Sequence, residues 1–179
     1  VQFWPQGEGD LRMQNPYWIA YRNLRLNQKK RYMLSAQLSY DITDWLNISG
    51  RVRVDNTHTK YEQKLYASSN LTITEESTQG HYTISKPDET QTYADVLANI
   101  NKRFNDFSLV ANVGASIVNN RYEDLSYRGP IREKGIPNVF NVFDLDNTKK
   151  KARQDEWQEQ TQSVFASVEV GWKSMLYLT

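Results

Sequence analysis

Apolar and polar residues alternate with a period of two along several stretches of the chain. From Arg31 to Ile42 the even-numbered positions are apolar or aromatic, and the odd-numbered positions are polar except for Met33. Side chains point alternately to the two faces of a strand, so this pattern predicts a β-strand with one apolar and one polar face. Alternation resumes at Leu46 and continues to Asp55. The two runs predict a hairpin with a tight turn near Asp44.

Two further pairs of runs follow the same rule. Residues 94–103 and 107–117 flank Asn105-Asp106, and residues 164–172 precede Lys173-Ser174 and a last apolar run, 175–179. Asparagine and aspartate are typical turn residues, which places a second turn near Asp106, and a third is expected near Ser174. The chain is therefore predicted to be all-β, an antiparallel up-and-down meander of about six strands.

The connections between these hairpins are much longer than the turns within them. They cover about residues 59–91 and 119–161 and are rich in Asn, Ser, Thr, Glu and Lys. Short extra strands are expected at residues 71–74 and 81–85. Asn15 and Pro16 favour the start of a short helix ending near Asn23, with Asn as the N-cap and Pro in the first helical position.

Short turns at one end and long loops at the other are typical of outer-membrane β-barrels, whose strands of about 9–11 residues cross the bilayer. In that interpretation the polar face meets an aqueous lumen, with Arg51, Arg53, Asp55, Asn99 and Asn101 as the lumen-facing candidates. Aromatic residues beside the turns would form an interfacial girdle at one membrane edge. These are Trp45, Phe104, Phe107 and Trp172.

A soluble sheet with one buried face has the same period, so alternation alone leaves a second possibility open. A soluble all-β module for carbohydrate binding or surface interaction would cover the apolar row that contains Leu34, Leu38 and Val52 with a second layer. A barrel would leave that row to membrane lipid. What covers these side chains decides between the two interpretations.

Composition narrows the possible chemistry. The 179 residues include 22 Lys and Arg and 21 Asp and Glu, a formal net charge of +1, which gives no reason to expect a nucleic-acid partner. The absence of cysteine excludes disulfides and a thiol nucleophile.

His58 and His81 are expected to be solvated loop histidines, and the acidic run at 144–147 is expected to be a loop turn. The pairs Glu75-Glu76 and Asp155-Glu156 are expected to be solvated loop charge. No catalytic residue, metal site or cofactor site is predicted.

Several segments together resemble the SusC/RagA-type TonB-linked outer-membrane transporters of Bacteroidetes. They occur in the order and spacing of that family and cover nearly the whole chain. The segments are Asn-Pro-Tyr-Trp-Ile at 15–19, Leu-Ser-Tyr-Asp-Ile-Thr-Asp-Trp-Leu-Asn-Ile-Ser-Gly-Arg at 38–51, Pro-Asn-Val-Phe-Asn at 137–141, and residues 162–178, which begin Gln-Ser-Val-Phe and end Leu-Tyr-Leu.

This resemblance implies a piece of a large barrel of about 22 strands with a plugged lumen. Such proteins lie in the outer membrane of Gram-negative cells and import glycans, peptides or other large nutrients into the periplasm. Their partners are a SusD-like surface lipoprotein, the nutrient ligand, outer-membrane lipid, and TonB, which contacts an N-terminal part absent from residues 1–179. Val1 is not a start methionine and the chain stops within a predicted strand, so we expect one segment of a longer receptor. Because the resemblance is to transporters, we do not expect an enzyme. Alone, its open sheet edges would favour pairing with another copy or folding into a sandwich.

Overall fold

The computed structural model describes residues 14–173 and 175–179. A short helix, seven strands and one 3-10 turn account for most of these residues. They are α1 (Pro16–Arg22), β1 (Asn23–Thr43), β2 (Leu46–Tyr66), β3 (Gly80–Ser85), β4 (Asp88–Phe104), β5 (Phe107–Pro130), a 3-10 turn (Val142–Asp144), β6 (Lys151–Trp172) and β7 (Leu176–Leu178). No helix within the described ranges is long and apolar enough to cross a membrane.

The seven strands form one sheet in the order β1-β2-β3-β5-β6-β7, and β4 also pairs with β2 and β5. Strand β3 is antiparallel to both neighbours, with Leu65 opposite His81 and Ser85 opposite Ser126. Strands β3 and β4 therefore share one place between β2 and β5, separated only at Lys86 and Pro87, where proline has no N–H to donate. The predicted all-β meander is confirmed, with one of its strands in two pieces.

The strands are longer than the hydrophobic pattern predicts. Strand β2 continues to Tyr66, β5 continues to Pro130 and β6 begins at Lys151, so the connections shrink to residues 67–79 and 131–150. Beyond Asp55 the apolar row gives way to Asn56 and His58. Backbone pairing does not need apolar side chains, so the ladder continues where the sequence signal ends.

One of the two predicted extra strands is present. The strand expected at 81–85 is β3, whereas residues 71–74 form turns and the prediction of a strand there is wrong. Thr74 is fully buried and its hydroxyl donates to the Ser77 backbone oxygen at 2.8 Å. This local bond competes with strand pairing and stabilises the turn.

The helix and the turns form as the residue types predict. The Asn15 side chain accepts a hydrogen bond from the Tyr17 backbone N–H at 2.9 Å, and Pro16 opens the helix. Asn105 has a left-handed φ of 49° in the turn between β4 and β5. Ser174 lies outside the described residues, but the strands on either side pair, with Gly171 opposite Tyr177.

Backbone contacts divide the chain into two compact units. We call the first the loop unit, which comprises the described residues of Val1–Lys30, His58–Asp88 and Tyr122–Glu156. We call the second the strand unit, which comprises those of Arg31–Thr57, Glu89–Arg121 and Trp157–Thr179. Both long connections belong to the loop unit, and the turns at Asp44 and Asp106 belong to the strand unit.

The loop unit has a buried core. Ile131 and Leu145 are each 1% exposed and form an isolated antiparallel bridge. Leu65 and Tyr82 are also buried. Gly80, with a φ of 115°, brings the backbone so close to the Leu65 carbonyl that a Cβ there would lie 2.6 Å from its oxygen. Only glycine adopts this backbone conformation easily, so Gly80 allows the tight packing at the start of β3.

The strand unit leaves its apolar rows exposed. Leu38 is 82% exposed and Val164 is 83% exposed, and Ala111 is the one hydrophobic residue among its described positions that is buried. No second layer of described residues covers these rows in the strand unit, so the sandwich, one of the two arrangements expected for an isolated piece, is not formed there. Pairing with another copy stays a prediction. The open row is the feature on which the two interpretations of the alternation differ.

Candidate functional site

The polar face of the strand unit carries a ladder of paired side chains. Nε of Arg51 lies 2.8 Å from an Asp95 carboxylate oxygen, and Nε of Arg31 donates to Asp55 at 2.9 Å. Asn99 donates to Asn47 at 3.3 Å. These pairs join β1 to β2 and β2 to β4. The alternation of polar and apolar residues has therefore placed charged or amide side chains of neighbouring strands next to each other.

Arg53 and Asn101, two further lumen-facing candidates, make contacts of different kinds. Arg53 donates to the Gln91 side chain at 3.4 Å, and its guanidinium lies 5.5 Å from the centre of the Tyr93 ring. Asn101 contributes its backbone N–H, which donates to the Trp45 carbonyl at 2.9 Å. The structure thus brings Arg51, Asp55 and Asn99 into side-chain pairs, but gives Asn101 a backbone role.

The polar contacts extend to β5 and β6. Gln91 donates to Asn120 at 2.9 Å, and Asn112 donates to Ser167 at 3.2 Å. Asn112 and Ser167 were not among the candidates, although each follows the odd–even rule of its own strand and could have been found from it. The polar surface therefore reaches across five strands, and that it lines a lumen stays a prediction.

The four candidate interfacial aromatics are each half-exposed and lie beside the tight turns. Nζ of Lys102 lies 4.5 Å from the centre of the Trp45 ring and 5.2 Å from that of Phe104. Nζ of Lys173 lies 5.3 Å from the centre of the Trp172 ring. Aromatic rings with lysine amines beside them suit the boundary between hydrocarbon and lipid headgroups. The position of a membrane boundary at these residues stays a prediction.

The loop unit contains an open pocket of about 750 Å³. Its wall is formed by Gln14, α1, β1, β2, residues 67–79, β3 and β5. Its charged lining residues are Arg25, Glu75 and Arg128. Its volume lies within the range of about 300–1,000 Å³ that is usual for small-ligand sites.

Glu75 lies among basic groups at this pocket. One of its carboxylate oxygens is 3.4 Å from the Arg128 guanidinium, 3.7 Å from Nε2 of His81 and 4.0 Å from Nζ of Lys151. Nζ of Lys149 donates to the Glu75 backbone oxygen at 3.2 Å. Glu75 is therefore partly buried and ion-paired, which differs from the freely solvated charge that was expected, whereas Glu76 is highly exposed.

His81 is buried in β3 and is not the solvated loop histidine that the sequence suggested. Burial lowers its pKa, as do the charges of Arg128 and Lys151, while Glu75 acts in the opposite direction. The imidazole is thus held in its neutral form. His58, by contrast, is exposed and pairs with Asp88 at 2.8 Å.

A buried tyrosine–glutamate pair joins β3 to β2. The Tyr82 hydroxyl donates to Glu62 at 2.6 Å, and Lys60 lies 3.1 Å from the same carboxylate. Burial raises the pKa of Tyr82, and the bond to Glu62 adds to this. Burial alone would raise the pKa of Glu62, but the hydrogen bonds from Tyr82 and Lys60, with the charge of Lys64, lower it overall.

The acidic run at 144–147 is a loop turn, as expected. Asp144 pairs with Arg132 at 2.8 Å, and Asp146 accepts from the Thr148 backbone and hydroxyl. These bonds from Thr148 lower the pKa of Asp146. Within the part of the chain that the structure describes, no three His, Asp or Glu side chains converge as a metal site.

The fold is similar to that of solved transporter structures. A structure titled RagAB peptide transporter matches with a TM-score of 0.81 and 11% identity over 99% of this chain. Structures of the RagAB peptide importer in an open-open and a closed-closed state match with TM-scores of 0.80 and 0.74, each at 12% identity. This chain spans 20%, 19% and 19% of those chains, respectively. No family model and no curated protein matches the sequence.

Proposed function

We propose that the chain is part of a SusC/RagA-type, TonB-dependent outer-membrane transporter that imports a large nutrient of the glycan or peptide class. The observation that carries this proposal is the two-faced strand unit, with exposed apolar rows on one face and paired polar side chains on the other. The likeness to RagAB peptide transporter structures supports the same fold. Residues 1–179 would be one segment of the barrel domain.

The physical reason lies in the solvent that each face requires. Side chains such as Leu38 and Val164 are unfavourable in water when they form contiguous rows. Against hydrocarbon they carry no such penalty, while the Arg51–Asp95 pair and its neighbours need water or protein. A wall between lipid and an aqueous lumen satisfies both faces at once. The tight turns would then face the periplasm and the long connections the cell exterior.

Partners follow from the same family resemblance. A SusD-like lipoprotein would bind at the cell surface, and TonB would supply energy through a part of the receptor outside residues 1–179. The similar structures are transporters by title, which supports a transport role over an enzymatic one. The nutrient itself would pass the polar face that includes Arg51, Arg53, Asp55, Asn99 and Asn101.

The alternative is a soluble all-β module for carbohydrate binding or surface interaction. It requires a layer over the apolar rows, and the described residues of the strand unit supply none. Exposure of 70% at Leu34 and 50% at Val52 favours the transporter.

Uptake by intact cells tests the proposal. Cells with and without the gene would be given labelled oligopeptide and oligosaccharide mixtures, with and without a protonophore. We expect the deletion strain to lose uptake of one mixture and the protonophore to abolish that same component in the parent strain. Equal uptake of both mixtures by the two strains would contradict transport.

A further inference from the structure

The pocket of the loop unit combines a net positive lining with aliphatic surface. Arg25 and Arg128 line it, and Glu75 is its one acidic lining residue among those described. Lys151 and Arg128 already lie within 4.0 Å of the Glu75 carboxylate. No ion pair within the described residues engages Arg25. The charge left over in the pocket is therefore positive and suits an anion.

Guanidinium groups favour carboxylates because their planar N–H donors match the two carboxylate oxygens. Amide side chains contribute further hydrogen-bonding capacity, since Asn23 and Gln63 also line the pocket. Such groups pair well with peptide N–H and carbonyl groups. Together they fit a ligand that has both peptide bonds and carboxylates.

The apolar part of the lining is aliphatic. It consists of Ile19, Leu65 and Ile73, and none of the described lining residues is Phe, Tyr or Trp. Recognition of sugar rings commonly relies on stacking against the faces of these large aromatic side chains, which this wall lacks. Branched aliphatic side chains instead match the side chains of residues such as leucine or valine. The lining thus favours a peptide over a glycan.

The pocket also contains incompletely paired polar groups. Among described residues, four buried side-chain polar atoms have no hydrogen-bond partner, and two belong to residues that line this pocket, Nε2 of Gln14 and Nδ1 of His81. Buried polar atoms are nearly always paired in folded proteins. Nε2 of Gln14 is therefore a donor without a protein partner in a residue that lines the pocket.

We propose that this pocket binds an acidic oligopeptide, with carboxylates of the peptide at Arg25 and Arg128 and an aliphatic side chain against Ile19 and Ile73. The proposal rests on the proposed transport function and narrows its nutrient from glycan or peptide to acidic peptide. Arg25 and Arg128 are then the residues that set the preference for charge. Glu75 attracts cationic ligands only weakly, because basic side chains already pair with its carboxylate.

Binding to the purified full-length protein in detergent tests this directly. The probe is a fluorescein-labelled hexapeptide of alternating leucine and glutamate with a free carboxyl terminus, followed by fluorescence anisotropy. We expect Arg25→Gln and Arg128→Gln each to weaken binding about tenfold, the loss of one charge-assisted hydrogen-bonded pair. Arg153→Gln is the matched control, since Arg153 pairs with Asp155 and is not a lining residue. It should change the affinity by less than about twofold.

Two competitors separate peptide from other sources of carboxylate. An amidated peptide of leucine and glutamine should compete at least tenfold more weakly than the acidic peptide, because it lacks the charge. Oligogalacturonate, an acidic sugar, should compete no better than that neutral peptide. Equal competition by all three, tighter binding of the sugar, or full affinity in the Arg25→Gln variant would overturn the proposal.

The measurement of peptide binding and the measurement of uptake can fail separately. Arg25→Gln removes no ion pair between described residues, so it remains informative if Arg128→Gln, which leaves Glu75 short of a partner, folds poorly. Loss of peptide binding with energy-dependent uptake intact would contradict the peptide-binding pocket but not the transport function. Peptide binding in a protein that supports no uptake would contradict the transport function but not the peptide-binding pocket.

Discussion

The loop unit buries large apolar side chains, whereas the strand unit leaves its apolar rows exposed. The loop unit buries Ile131 and Leu145 almost completely and adds a buried hydrogen bond between Tyr82 and Glu62. The strand unit leaves Leu38 and Val164 more than four-fifths exposed. Both contain strands of the same sheet, but Ile131 and Leu145 lie in the connection at 131–150, which belongs to the loop unit.

The two units therefore obtain their stability from different sources. The loop unit is held by contacts within the described chain, as an ordinary small core is. The strand unit needs an apolar environment outside the described residues to match its exposed rows. Substitutions should therefore act through packing in the loop unit and mainly through the surrounding solvent in the strand unit.

The largest effect is expected from a charge placed on an apolar row. Val113→Lys should destabilise the membrane-inserted protein by about 2–4 kcal/mol, the penalty for lysine on a lipid-facing strand near the bilayer centre. Ser116→Lys, on the opposite face of β5, is the matched control and should have an effect below about 1 kcal/mol. Urea unfolding in phospholipid vesicles measures both. Equal effects of the two substitutions would contradict the claim that one face meets lipid and the other meets water.

A steric change in the strand unit should have the next largest effect. A Cβ at Gly114 would lie 2.5 Å from the Phe165 ring and 2.9 Å from the Val96 carbonyl oxygen. Gly114→Ala should therefore destabilise by about 1–3 kcal/mol through overpacking. Adding Phe165→Leu should restore part of the loss, since the Val96 oxygen stays in place. A double-mutant cycle in vesicles gives the coupling, and strict additivity would contradict this contact.

Loss of the buried hydrogen bond should weaken the loop unit to a smaller degree. Tyr82→Phe leaves Glu62 with Lys60 as its remaining close partner and should destabilise by about 1–2 kcal/mol. Hydrogen exchange of the β3 amides reports this locally. Exchange in the strand unit at Ala111 should stay unchanged if the effect is confined to the loop unit.

The smallest effect is expected from pH. The pKa of His81 in the folded chain is held below its ordinary value of 6.5, so on acidification the unfolded chain binds this proton first. The stability contributed by neutral His81 is therefore complete above pH 6.5 and falls as the pH drops toward the folded pKa. Denaturant midpoints of the loop unit between pH 7.5 and about 5 should show this slope. His81→Gln should flatten it, and an unchanged slope in that variant would assign the effect to other groups.

Much of the strand unit could be predicted from the sequence because its signal is local. Alternation over residues 31–42 and 46–55 gave both faces and the turn between them. In the loop unit, only a signal as local as Asn15 with Pro16, which gave the helix start, could be used in the same way. The strand ends could not be predicted, because beyond Asp55 polar residues occupy both faces while backbone pairing continues.

The pocket could not be predicted, since distant segments build it. Arg25, His81 and Arg128 come together through the pairing of β1 with β2 and of β3 with β2 and β5. Burial of His81 depends on its register opposite Leu65 and Pro130, and no periodic pattern in residues 67–79 indicates it. Pairing partners far apart in sequence leave no local trace in composition.

The central claim is that the two faces of the strand unit meet lipid and water. Residues 1–179 contain no cysteine, so once any cysteine elsewhere in the receptor is replaced, single cysteines can be placed along β5 from Leu109 to Ile117 and labelled with a nitroxide in the membrane-inserted protein. Collision with oxygen should peak at Leu109, Val113 and Ile117, and collision with a water-soluble nickel chelate should peak at Asn112 and Ser116. Low accessibility to both reagents at Val113, or peaks of the two reagents at the same residues, would contradict the account.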